Sequence, residues 1–157
     1  MKIYFWSIGK LHEPYVKEGI ETFTKRISHY YGIEWKLIST VKNAASLSNI
    51  DLKKNEAEVI LNLLLPGDVL ILLDEKGKQI TCEQLAKLIQ LNANNSTKNL
   101  VFLIGGAYGV DEKIIKRANY VWSLSKLVFP HQLIRLILAE QVYRACTIIR
   151  NEKYHHT

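Results

Sequence analysis

Short apolar runs with strand character alternate along the chain with longer segments whose apolar residues recur at helical spacing. Five runs read as strands: residues 2–8, 33–39, 69–73, 99–104 and 120–123. The stretches between them read as helices. Residues 15–30 carry the helical spacing, and residues 52–65 follow Asp51 as an N-cap and stop at Pro66-Gly67. Thr81-Cys-Glu-Gln84 has the form of a capping box at the head of a helix that runs to about Asn92. Asp111 is placed to cap a short helix ending at Ala118, and a final helix of residues 133–150 begins just after Pro130. Strands alternating with helices in this way predict an α/β fold, a parallel sheet with helices on both faces.

At 157 residues the chain makes one domain, 1–157, long enough to bury a real core. No internal repeat or linker divides it. Its most apolar stretch, 133–149, is interrupted by Arg135, Glu140, Gln141 and Arg144, so it lacks the roughly 20 uninterrupted apolar residues of a membrane span and reads as a buried helix. Residues 1–9 go straight into a strand pattern without a basic leader and cleavage site, which predicts a cytoplasmic protein with no membrane partner. Cys82 and Cys146 lie far apart and neither has a partner at metal-ligand spacing, so free thiols and no metal are expected.

The final helix is unusual. At about 100° per residue its apolar side chains point almost all the way round, so more than one side should be buried. One face can meet its own sheet. A second apolar face suggests a second copy of the chain, and a homodimer through this helix is the expectation. On the same wheel Arg135 falls among Ala139, Val142, Cys146 and Ile149, away from Glu140 and Arg144. Buried there, its guanidinium has to meet a carboxylate, carbonyl oxygens or a ligand; otherwise it reaches out of the first helical turn to solvent.

Charge sharpens the picture. From Lys116 onward there are seven Lys/Arg against two acids, whereas residues 1–115 are nearly balanced, so the net charge of +6 sits almost wholly on the C-terminal quarter. A basic region with interleaved aromatics is the footprint of a surface that meets a polyanion. The glycine cluster of residues 103–109 follows the apolar fourth strand and precedes the Asp111 helix; such a turn either lets a ligand approach the backbone or is simply tight. Its spacing, Gly-Gly-x-x-Gly after the fourth strand, is not the dinucleotide fingerprint. Residues 122–132 form a hydroxyl-rich apolar connection at what should be the carboxyl edge of the sheet, where α/β proteins bind ligands. Within it His131 has either a capping role or a titrating one. The tail from Asn151, with His155 and His156, reads as a loose terminus or as a weak metal-binding pair.

Taken together, residues 103–109, Ser123-Leu-Ser-Lys126, Phe129-Pro-His-Gln-Leu-Ile-Arg135, Glu140-Gln-Val-Tyr-Arg-Ala145, Tyr154-His155 and Ile8-Gly-Lys10 resemble the ribosomal RNA large subunit methyltransferase H family, of the SPOUT class, over the whole chain. The resemblance implies a parallel α/β sheet whose C-terminal part is threaded into a trefoil knot, an exception to the rule against threaded loops. It implies a homodimeric enzyme that uses S-adenosylmethionine to methylate N3 of a pseudouridine in helix 69 of 23S rRNA, on the assembled 70S ribosome. It places the cofactor against Leu73, Gly105, Leu124, Ser125, Lys126, Leu127, Val128 and Phe129. It gathers His131, Arg135, Tyr143, Arg144, Tyr154 and His155 around the pocket, the tail from the opposite subunit.

A methyl on a sulfonium is already a strong electrophile, so the protein mainly has to align the accepting nitrogen and exclude water. N3 keeps its proton at neutral pH, so something must accept that proton or stabilise the resulting anion. On this reading Arg135 and Arg144 stabilise charge or hold phosphate, while Tyr154 and His155 close over the base and His155 accepts the proton. A non-catalytic RNA-binding module would share the basic quarter but would bind no S-adenosylmethionine. A SPOUT enzyme acting on transfer RNA usually carries an added RNA-binding domain, for which this chain has no room.

Overall fold

The computed structural model describes residues 1–39 and 41–156. Its elements run β1 (Lys2–Ile8), α1 (Pro14–Ile27), β2 (Gly32–Ile38), a short 3₁₀ turn at Ala44–Ser46, α2 (Asn49–Leu63), β3 (Val69–Lys78), α3 (Cys82–Asn94), β4 (Asn99–Ile104), α4 (Glu112–Arg117), β5 (Tyr120–Trp122) and α5 (His131–Ile149). All five strands pair in parallel, in the order β2-β1-β4-β3-β5. Alternate residues serve opposite layers, as the pleat requires. Ile3, Phe5, Leu100, Phe102 and Ile71 face a core closed by α1, α3 and α5. Trp6, Ile8, Val101, Leu103, Leu70 and Leu72 face a smaller one closed by α2 and α4. The expected sheet covered on both faces is therefore present.

Several helix ends differ from expectation for local reasons. α2 is capped by Ser48, whose hydroxyl accepts from the Asp51 amide; Asp51 lies in the first turn, where its carboxylate accepts from the Ser48 hydroxyl and suits the helix N-terminus, so it is not the cap. Thr81 and Gln84 make the full capping box of α3, and Asp111 caps α4 through the Lys113 amide. α5 starts at His131, directly behind Pro130.

α5 also answers the question its all-round apolar surface poses. One chain covers most of it: α5 lies on the sheet between α1 and α3, burying Leu138, Ala139, Val142, Ala145 and Cys146. Gly19 lets α1 come close, since a Cβ there would fall 2.7 Å from a Leu136 methyl. Burial pushes the Cys146 thiol up to about 12, and both cysteines are free.

β3 is longer than its apolar run because it leaves the sheet and returns. Leu73 and Lys78 both register with Trp122 of β5, so the residues between them bulge outward. On the return Gly77 lies flat on β5, where a Cβ would come 2.7 Å from the Val121 carbonyl carbon and oxygen. Neither backbone can yield without breaking a strand. Gly77→Ala is therefore expected to lower stability by about 1–3 kcal/mol, seen as a lower urea midpoint at constant slope; an unchanged midpoint would mean that this crossing is slack.

Candidate active site

Three neighbouring strands, β4, β3 and β5, end at one edge of the sheet, and a cavity of about 440 Å³ opens there. Such an edge collects loops from several elements, which is why α/β sheets bind ligands at it. The β3 bulge supplies Leu73, Asp74, Glu75 and Lys76; the turn after β4 supplies Gly105, Gly106 and Tyr108; the segment after β5 supplies Leu124, Ser125, Leu127, Val128 and Phe129, and α5 adds His131 and Ile134. The glycine cluster is both a tight turn and a wall of the cavity. Gly109 adopts φ 80° and its amide bonds back to the Gly106 carbonyl, while a Cβ on Gly105 would fall 2.6 Å from a Val110 methyl. Glycine at 105 is thus required by the close approach of Val110 and at 109 by the left-handed backbone of the turn.

Seven of the eight expected cofactor-contacting residues line this cavity. Lys126 does not: its ammonium lies 3.4 Å from the Glu75 carbonyl across the rim, so the side chain spans the mouth outside the wall. Leu127 and Val128 are 70% and 82% exposed, a large apolar pair held over the opening with nothing against it. Ser123 and Ser125 use their hydroxyls to shape the segment, the first donating to the Ser125 carbonyl and the second accepting from the Leu127 amide. His131 is driven toward its neutral form by burial and then by the nearby Arg135 charge.

The residues expected to perform chemistry do not all gather there. Arg135 is 1% exposed, neither in solvent nor on the cavity. Its Nε donates to Ser7 Oγ at 2.9 Å, and one terminal nitrogen donates to the Lys10 carbonyl at 2.9 Å and lies 3.4 Å from His12 Nδ1. Gly9, at φ 124°, turns the chain so that the carbonyl of Lys10 reaches the guanidinium. The Ile8-Gly-Lys10 motif is thus the receptor for Arg135, and burial together with this cation lowers the pKa of His12. Among the described residues, oxygen and imidazole lone pairs meet the guanidinium and no carboxylate does, an arrangement the wheel left open.

Tyr143, Arg144, Tyr154 and His155 form a second group farther along α5. After Ile149 the helix closes with Asn151 in the left-handed region (φ 55°) and the Glu152 amide bonded to the Thr147 carbonyl, which turns the tail back. Glu140 accepts from both Arg144 and the Tyr154 hydroxyl, the Arg144 guanidinium lies 4.8 Å over the Tyr154 ring, and the Tyr143 and Tyr154 rings are 4.7 Å apart. Tyr30, in the turn that follows α1, donates its hydroxyl to Glu152. His155 Nε2 lies 2.8 Å from Glu83 in the first turn of α3, leaving Nδ1 buried without a partner among the described residues. The Thr81 hydroxyl, the helix-start backbone and His155 together hold the Glu83 carboxyl down at about 2. The tail is therefore a tied segment rather than a loose terminus.

Residues 1–155 match the family described as "Predicted SPOUT methyltransferase". A protein of Cytophaga hutchinsonii named "Ribosomal RNA large subunit methyltransferase H" is 47% identical over 156 residues, 99% of this chain and 100% of that protein. The chain belongs to this SPOUT methyltransferase family. Proteins with the same name from Parabacteroides distasonis and Christiangramia forsetii are 46% and 40% identical, each over 99% of both chains. For a SPOUT methyltransferase the polar site at the strand ends and the tail cluster both follow motifs visible in the sequence. What motifs missed is the acidic rim, Asp74 and Glu75: polar residues just past an apolar strand look like ordinary loop, and only the return of β3 onto β5 brings them to the cavity. No described helix is long and apolar enough to cross a membrane.

Proposed function

We propose that this chain is a cytoplasmic S-adenosylmethionine-dependent methyltransferase that, as a homodimer, methylates N3 of a pseudouridine in helix 69 of 23S rRNA within the 70S ribosome. The observation that carries the reading is the joint one: a SPOUT-family chain with full-length relatives named for ribosomal RNA methylation has a cofactor-sized cavity at the edge where its motif residues converge. The donor set suits that cofactor. Backbone groups around Gly105, Gly106 and Leu73 can take the adenosine part, Phe129, Leu127 and Val128 offer apolar cover, and the acidic rim suits the positive charge. Bound there, the cofactor supplies a methyl group already activated as an electrophile.

The protein's own residues then have three tasks. The exposed Leu127–Val128 pair closes over the cavity and excludes water. His155 takes the N3 proton, and Arg144, its guanidinium fixed by Glu140, steadies the resulting charge. Arg135 acts from inside the fold, holding the start of α5 and with it His131 at the cavity wall. Because the tail group sits apart from the cavity, the reading pairs one protomer's tail with its partner's cavity. Leu11 and Tyr15 stand exposed beside the start of α5, where Gln132 ties the Leu11 carbonyl and the Glu13 amide, and they offer further apolar surface for such a contact.

Methyl transfer from labelled S-adenosylmethionine to 70S ribosomes, isolated large subunits and free 23S rRNA tests this. Incorporation on 70S mapped to helix 69 and absent from free RNA is the expected result. No incorporation on any substrate, with no cofactor binding by calorimetry, would overturn it in favour of a plain RNA-binding role.

A further inference from the structure

α2 buries Leu52, Ala57 and Ile60 along its apolar stripe, and with them it buries Glu56, only 6% exposed. Among the described residues no ion pair or side-chain hydrogen bond meets this carboxylate, and burial alone shifts it, upward from the usual carboxylate range. A carboxylate in that condition is costly unless a cation comes to it. Its location shows from where. A Cβ on Gly106 would fall 2.7 Å from Glu56 Oε2 and 3.1 Å from Oε1, so the carboxylate occupies the space a side chain at 106 would fill. Gly106 is itself a wall of the cavity, leaving one glycine's backbone between the charge and any occupant. The other charged or titratable walls are Asp74, Glu75, Lys76, Tyr108 and His131; Asp74 accepts from the Lys76 amide, and His131 is held toward neutrality. With the Lys126 ammonium across the rim, the carboxylates of Glu56, Asp74 and Glu75 stand against the ammonium groups of Lys76 and Lys126, so in a chain of net charge +6 this site keeps an acidic balance.

We infer that Glu56 is a specificity residue: its carboxylate, set behind Gly106, makes the cavity prefer a cationic occupant over a neutral one of the same shape. The inference rests on the proposed cofactor. S-adenosylmethionine and its product S-adenosylhomocysteine differ by one methyl and one positive charge, so shape alone separates them poorly. A unit charge a few ångströms away in a partly dry site separates them by about tenfold or more. Once the methyl has left, Glu56 again lacks a counter-charge, which favours release of the product.

Calorimetry on the full-length protein at mildly alkaline pH, with both ligands, tests this in the wild type and in Glu56→Gln. The expected result is a roughly tenfold loss of affinity for S-adenosylmethionine with S-adenosylhomocysteine affinity changed less than about twofold. Glu56→Met, which removes the buried charge while filling the same space, should show the same collapse of the ratio and keeps the test open if the glutamine variant fails to fold. Equal weakening of both ligands would overturn the inference and leave Glu56 as a packing element of the glycine turn; so would no change in either. A wild type that binds neither ligand would instead overturn the cofactor reading beneath it.

Discussion

Arg135→Ala is expected to cost about 3 kcal/mol or more of stability and to lower the melting temperature by roughly 10 °C. The substitution empties the volume of one of the largest fully buried side chains and strips partners from Ser7 Oγ and the Lys10 carbonyl. Arg135→Lys keeps the charge but cannot serve Ser7 and Lys10 at once with a planar fork, and should recover only part of the loss. Differential scanning calorimetry of the two variants checks this. If the alanine variant melts with the wild type, the guanidinium is not the tie between α5 and the end of β1, and its motif would need a role at the substrate instead.

His155→Ala is expected to reduce turnover on saturating 70S ribosomes by about a hundredfold, the usual contribution of a positioned proton acceptor, while leaving affinity for S-adenosylmethionine unchanged. The separation of effects follows from geometry: His155 sits on α3 with Glu83, whereas the cavity is walled by other elements. The buried Nδ1 has no partner among the described residues, a loss of about 1–3 kcal/mol that offsets part of what the Nε2–Glu83 contact contributes. Normal turnover in the alanine variant would remove His155 from the reaction and direct attention to Arg144 or Tyr154.

The strands were legible because each is an apolar run bounded by polar residues, and Thr81 and Asp111 announced their helices by local chemistry that tertiary structure did not override. Asp51 misled because a Ser-x-x-Asp pair has two plausible caps, and the choice depends on where the chain enters α2. That segment 124–129 would line the site at the sheet edge was readable as a motif, apart from Lys126, whose length carries its ammonium over the rim. Three features were not readable. Arg135 meets Ser7 and Lys10 from the other end of the chain, Asp74 and Glu75 reach the cavity only because β3 returns, and Glu56 resembles any surface glutamate on a helix until Gly106 is seen against it. Each depends on contacts between distant segments, for which a one-dimensional pattern has no signal.

The strand order also constrains how the protein can be made. β1 lies between β2 and β4, and Lys2 registers with Gly32 on one side and Asn99 on the other. During synthesis β1 and β2 can pair early, but the second edge of β1 stays open until β4 has left the ribosome, and the edge of β3 waits longer still for β5. A nascent chain with apolar, unpaired strand edges folds slowly and is exposed to aggregation. Because α5 closes the larger core, chaperone dependence should fall sharply only once α5 has emerged, and ribosome-stalled chains that end before His131 should remain protease-sensitive while the full-length chain becomes resistant.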